Sequence, residues 1–198
     1  MKKHCKFCVE NKIREELLFE TENLFIMPDL GPIAKTHLLI LPKKHYVNIG
    51  NMPKKIHEEL NLTIEKIKTT LLDVFGEKTI LFEHGPASIT EKGGNSIDHA
   101  HLHLVTHTIP LIKMLKKKFQ YLKINQLNEL KSNAPYLFVE ENNERYSFNI
   151  SSNIPSQYLR KIIAEKNELP WNWRENQDNT DLFIIHDRLH KHFKKNNY

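Results

Sequence analysis

Short apolar runs separated by turn residues open the chain. Leu17–Glu20, Leu24–Met27 and His37–Leu41 read as strands, broken by Pro28, Gly31-Pro32 and Pro42. The period then changes. Ile56, Leu60, Ile64, Ile67, Leu71 and Phe75 form one apolar stripe at helical spacing. Asn51 can cap this helix, Pro53 suits its first turn and Gly76 ends it. Lys78–Glu83 and His99–Val105 read as further strands. Strands, a long helix and more strands predict an α+β fold, with the helix on one face of an antiparallel sheet.

Pro110 closes that unit, which divides the chain into a domain over 1–110 and a smaller mixed α/β extension over 111–198. In the extension, residues 111–118 (LIKMLKKK) read as a basic helix or linker. Tyr136–Glu140 and Arg145–Ile150 read as a hairpin across Asn142-Asn143. Pro155–Lys166 and Thr180–Lys194 read as helices. With its own apolar residues, Trp171 and Trp173, the extension is expected to fold and to pack on the first domain.

Composition narrows the classes. The chain has 198 residues, of which 39% are hydrophobic and 27% charged, the balance of a globular protein rather than a disordered one. The start, MKKHCKFCVENKIREE, lacks the apolar core of a signal peptide, and no apolar run reaches membrane-spanning length. The expected location is the cytoplasm, away from membranes. A net charge of +5 favours anionic ligands such as nucleotides, polyphosphates or nucleic acid. Cys5 and Cys8 are the two cysteines, and in a reducing compartment their spacing suggests metal binding or redox work.

The candidate chemistry sits at His99-Ala100-His101-Leu102-His103-Leu104-Val105. On a strand, alternation sends the imidazoles to one face and Ala100, Leu102 and Leu104 into a core. Three imidazoles on one face are not explained by packing, because each needs polar partners when buried. A neutral imidazole can attack phosphorus and later be displaced by water, given a fixed acceptor for its other nitrogen. Backbone N–H groups around Gly93-Gly94 can cradle a phosphate, and Ser96 can donate to a phosphoryl oxygen or the leaving group. A catalytic metal site is the competing reading, since His-x-His on a strand also suits metal ligation and His107 can extend it.

The pattern of three histidines alternating with apolar residues resembles the signature of the histidine-triad (HIT) superfamily. Cys5-x-x-Cys8, Asp29 after the second strand, Thr36–His45 (THLLILPKKH) and Gly94-Asn95-Ser96 follow the family's order, so the resemblance covers about residues 5–107. It implies a HIT-like antiparallel sheet packed with a long helix. It also implies a hydrolase or nucleotidyltransferase cleaving at a nucleotide α-phosphate through a nucleotidyl-histidine. Dinucleoside polyphosphates, nucleoside phosphoramidates and adenylylated molecules are the implied substrate classes. The resemblance assigns the attack to His101, makes His103 and His37 its phosphate-facing partners, and gives the ribose hydroxyls to Asp29. Nucleotide binding would further involve Gly94, Asn95 and Ser96. Some members bind structural zinc, here through Cys5, Cys8, His45 and His99, with His4 a spare ligand nearby. Many relatives are homodimers.

Some positions depart from the pattern. Glu83 stands where one branch of the family has an asparagine that helps to bind phosphate. A carboxylate there would repel phosphate unless protonated, paired (His84 is the neighbour for that) or turned aside. Asn95 replaces a frequent glutamine, and Thr106-His107 also differ. The extension looks like one carried by some longer histidine-triad proteins. Its Gln157 and Arg160, on one helix face, are expected to reach back to the active-site mouth and contact the leaving group. Lys116–Lys118, His186, His190 and His192 read as surface or packing residues. Two alternatives stand beside the enzyme: a metal-dependent hydrolase with the triad as ligands, and a non-catalytic nucleotide- or nucleic-acid-binding module, for which the basic segment is the support.

Overall fold

A computed structural model describes residues 5–8, 17–88, 99–106, 109–130, 133–150, 154–155, 157–172 and 187–193. The strands are β1 (Phe19–Glu20), β2 (Leu24–Pro28), β3 (His37–Pro42), β4 (Thr79–Gly85), β5 (Leu102–Thr106), β6 (Tyr121–Ile124), β7 (Tyr136–Glu141) and β8 (Glu144–Asn149). The helices are α1 (Lys54–Phe75), α2 (Leu111–Lys116), α3 (Tyr158–Lys166) and α4 (residues 187–193). All strand pairs are antiparallel, in the order β1-β2-β3-β5-β4-β7-β8-β6. The α+β expectation holds. The sheet runs straight through the break at Pro110, because β7 pairs along β4 from Ile80↔Glu141 to Gly85↔Tyr136.

The helical stripe does what its spacing predicts. Ile56, Leu60, Ile64, Ile67 and Leu71 are buried on one face of the sheet against Leu24, Ile26, Leu38, Ile40, Leu81, Leu102 and Leu104. Gly76 ends α1 at φ 68°, a left-handed turn that suits glycine, with its N–H on the Leu72 carbonyl at 2.8 Å. The start differs from expectation. Asn51 belongs to a preceding 3₁₀ turn capped by Asn48, and Pro53 occupies the N-cap of α1 without a side-chain hydrogen bond. The Asn142-Asn143 hairpin forms as predicted, both residues having positive φ of 52° and 62°, as a two-residue turn between twisted strands requires. Buried Glu140 of β7 ties the extension to α1, accepting from Lys68 Nζ at 2.7 Å and Arg145 Nε at 2.6 Å.

Glu83 is turned aside, onto the α1 face. Its carboxylate accepts from the Ile49 N–H at 2.9 Å and from the Tyr136 hydroxyl at 2.5 Å, while the histidine row lies on the opposite face. Partnership with His84 is thereby corrected, since neighbouring residues on β4 face opposite sides. Gly85 makes the Tyr136 bond sterically feasible: a Cβ there would lie 2.3 Å from the Tyr136 ring.

Burial outweighs these two hydrogen bonds and pushes the Glu83 carboxyl up to about 8. Its unfolded value is near 4.3. Between those values the unfolded chain holds fewer protons at this site than the folded one, so stability falls as pH rises through that window. Glu83→Gln should remove most of this fall, a few kcal/mol in scale. Urea midpoints at pH 5 and pH 8.5 measure it, and an equal fall in both proteins would refute the assignment.

Candidate active site

The register of three strands builds the site. His103 on β5 pairs with Leu39 on β3 and with Phe82 on β4, which puts all three on one face. The His103 ring stacks on Phe82, with centroids 4.6 Å apart and planes at 12°. His37, at the start of β3, brings Nε2 to within 2.9 Å of His103 Nδ1. Row and strand are not the same object, however. β5 begins only at Leu102, so His99 and His101 lie on the approach to it rather than within it. There the Ala100 N–H is bonded to the Tyr46 carbonyl at 2.7 Å.

Hydrogen bonds distinguish the imidazoles. His101 Nδ1 lies 2.7 Å from the His99 carbonyl, which can only accept, so Nδ1 carries the proton and Nε2 is bare in the neutral ring. His37 Nδ1 accepts from the Ile33 N–H at 3.4 Å, leaving Nε2–H to donate to His103 Nδ1. His103 therefore carries its proton on Nε2. Burial holds His101 below the ordinary imidazole range, and His37 and His103 well below it, with Arg160 adding to the effect on each. One ring then offers a lone pair and its neighbour a donor, their centroids 4.9 Å apart.

Asp29 follows β2 and is buried beside this group. Its Oδ2 lies 3.6 Å from His37 Nε2 and 3.7 Å from His103 Nδ1. The same oxygen accepts from Arg160 Nη1 of α3 at 2.7 Å. Arg160 thus reaches back to the site from the extension, but its partner is Asp29. Gln157 occupies the N-cap of α3 in a left-handed conformation, φ 60°. Sequence reasoning gave no signal for Phe82, nor for Phe7, whose ring meets His99 and His101 edge-on at 5.8 and 5.5 Å.

Cys5 Sγ, Cys8 Sγ, His45 and His99 converge, their ligand atoms all within 4.8 Å of one another. Cys5 Sγ and Cys8 Sγ lie 3.5 and 3.6 Å from His99 Nδ1, and Cys8 Sγ lies 3.3 Å from His45 Nδ1. His99 Nε2 is 2.8 Å from the Pro42 carbonyl, which places its proton there and turns the bare Nδ1 toward the thiols. Burial pushes the His99 imidazole down to about 4, so it stays neutral, as a metal ligand must be. Two cysteines and two histidines fit a tetrahedral zinc site.

A family model for the HIT domain matches residues 10–108. The chain belongs to the HIT family. Among its relatives is an adenosine 5'-monophosphoramidase of Candida albicans, 28% identical over 107 residues, 51% of this chain and 68% of the relative. A bis(5'-adenosyl)-triphosphatase of Dictyostelium discoideum is 24% identical over 133 residues, covering 66% of this chain and 81% of the relative. Similarity to the CWF19-like protein 1 of Mus musculus, 24% over 204 residues, spans 89% of this chain but 35% of that one. It thus continues beyond the HIT match into the extension.

Gly94, Asn95, Ser96 and His107 lie outside the described residues, as do His4, Trp173 and His186. Lys116 and Lys118 of the basic run are engaged by tyrosines: Lys116 Nζ sits 3.7 Å from the Tyr146 ring centroid, and Lys118 Nζ donates to the Tyr158 hydroxyl at 3.3 Å. His190 bonds to the Leu18 carbonyl at 3.0 Å, a packing role for α4. Among the described residues no helix is long and apolar enough to cross a membrane.

The proton positions can be tested directly. Nitrogen-15 NMR at neutral pH should find His101 protonated on Nδ1 and His103 on Nε2. The same tautomer for both rings would contradict the hydrogen-bond pattern.

Proposed function

We propose that this HIT-family chain is a nucleotidyl hydrolase or transferase acting at a nucleotide α-phosphate. The observation carrying the reading is the pair of contacts from His101 Nδ1 to the His99 carbonyl and from His103 Nδ1 to His37 Nε2, from which a bare His101 Nε2 beside a His103 Nε2–H follows. His101 Nε2 attacks phosphorus, and a P–N bond forms as the bond from phosphorus to the leaving group breaks. The His99 carbonyl accepts from Nδ1–H and shares the positive charge that develops on the ring. His103 Nε2–H donates to a phosphoryl oxygen, and Ser96 to another or to the leaving group. Water, or another acceptor, then attacks phosphorus, the P–N bond breaks and His101 returns neutral. A preorganised donor of this kind lowers such a barrier by about 3–4 kcal/mol.

The nucleoside would lie beside Phe25, Met27 and Leu39, a buried apolar cluster on the same sheet face against which Phe7 and Leu17 pack, with Asp29 at the sugar. Gly94 and Asn95 would hold phosphate. Relatives named for adenylyl phosphoramidate and diadenosine triphosphate cleavage support this substrate class, dinucleoside polyphosphates included. Residues 1–110 would carry the chemistry, while 111–198 would support its sugar end. Cys5, Cys8, His45 and His99 would hold zinc, which supplies a structural tie between the N-terminal turn and the approach to β5. The alternative of a catalytic ion bound by the triad is disfavoured by Arg160, whose positive charge already occupies the Asp29 carboxylate.

His101→Asn should lower turnover of an adenylyl substrate by at least about a thousandfold, and should abolish the adenylylated protein trapped by acid quench and mass spectrometry. Normal turnover in that variant would end this mechanism. Zinc removal acts differently. Chelation, or Cys8→Ala, should lower the thermal midpoint together with the metal content, and readdition of zinc should restore only the chelated wild type. A midpoint indifferent to zinc would exclude a structural ion.

A further inference from the structure

The loop between β2 and β3 begins at Asp29 and delivers His37, and α3 holds it at two points. Arg160 forks, Nη1 donating to Asp29 Oδ2 at 2.7 Å and Nη2 to the Gly31 carbonyl at 2.6 Å. The Gly31 N–H returns to Asp29 Oδ1 at 2.9 Å, so Arg160 and Gly31 enclose the carboxylate. Beyond the end of α3, Asn167 Nδ2 donates to the Ile33 carbonyl at 2.6 Å. Arg160 is 6% exposed and Asp29 8%, so this is a buried ion pair rather than a surface one.

A buried pair of this kind is poor evidence for stability, since desolvation opposes its attraction. Its effect here is geometric. An ionised carboxylate has about four acceptor positions. Arg160 and Gly31 each take one, on different oxygens. One position on each oxygen then remains for two neighbouring hydroxyls. A planar guanidinium that also grips the adjacent carbonyl removes the rotation the carboxylate would otherwise lose on binding.

We propose that Arg160 is a positioning residue of the nucleotide site, holding Asp29 in the orientation that accepts the sugar hydroxyls, so that sugar recognition depends on the C-terminal segment. This rests on the nucleotide reading given above. It moves Arg160 from the leaving group to the sugar end.

The test measures binding, not turnover. AMP and 2'-deoxy-AMP are titrated by calorimetry into protein carrying His101→Asn. That parent should prefer AMP. Adding Arg160→Gln should weaken AMP by about tenfold while leaving 2'-deoxy-AMP almost unchanged, and Arg160→Lys should recover part of the preference. In an Asp29→Asn background, Arg160→Gln should have no further effect on the preference. Equal loss for both nucleotides, or no loss for either, overturns the proposal and leaves the nucleotide reading intact. A parent that binds AMP without sugar preference does the same. A parent that binds neither nucleotide removes the nucleotide reading and the proposal together. If Arg160→Gln leaves Asp29 too poorly compensated to fold, Arg160→Lys decides: a reduced AMP preference supports the role and an unchanged preference overturns it.

Discussion

The backbone register of β3, β5 and β4 is the constraint on which everything else depends. Leu39, His103 and Phe82 stand in one row across these strands, while Leu38, Leu104 and Leu81 face the other way into the helix α1. The side-chain period of a strand is two, so a slip by one residue would exchange the faces. Imidazoles would then enter the helix-covered core, and leucines would replace them at the site. The apolar stripe of α1 therefore does more than stabilise the sheet. By packing against the leucines and isoleucines of β2, β3, β4 and β5 on its side, it selects the register that presents His37 and His103 on the other.

The three histidines of the row end in different surroundings despite identical spacing. His99 gives one nitrogen to the Pro42 carbonyl and turns the other to two thiols. His101 donates a hydrogen bond from Nδ1–H to the carbonyl two residues back, that of His99. His103 is bonded sideways to His37 on the neighbouring strand and backed by Phe82. The chemistry of each ring is set by which nitrogen its neighbours leave bare, a property of the fold around the row rather than of the row. Phe7, from the short turn that carries both cysteines, touches two of the rings and links the sulfur cluster physically to His101.

Much of this was legible in the residues themselves. The period of α1, the hairpin turn at Asn142-Asn143 and the apolar alternation around the histidines each have a local cause, and each formed. β6 was missed because Tyr121-Leu122-Lys123-Ile124 is a short edge strand, mostly exposed and without a strong contrast between faces. Predicting that the histidine strand began at His99 put it too early, because a bond from Ala100 to Tyr46, far away in sequence, holds the approach off the ladder. Glu83 could not be assigned a side without knowing that Ile49 and Tyr136 await it. The pairing of Arg160 with Asp29 joins residues 131 positions apart, and no local pattern encodes it.

The pairing of β7 along β4 has a consequence for assembly. A β-sheet grows only at edges with unpaired backbone groups. β4 lies between β5 and β7, so both of its sides are used within the chain. Among the described residues, the sheet's outer strands are β1, two residues long, and β6, four residues long. Among the described residues, strand addition by a second copy would therefore enter at one of these short rims, with the histidine-bearing strands left well inside the sheet.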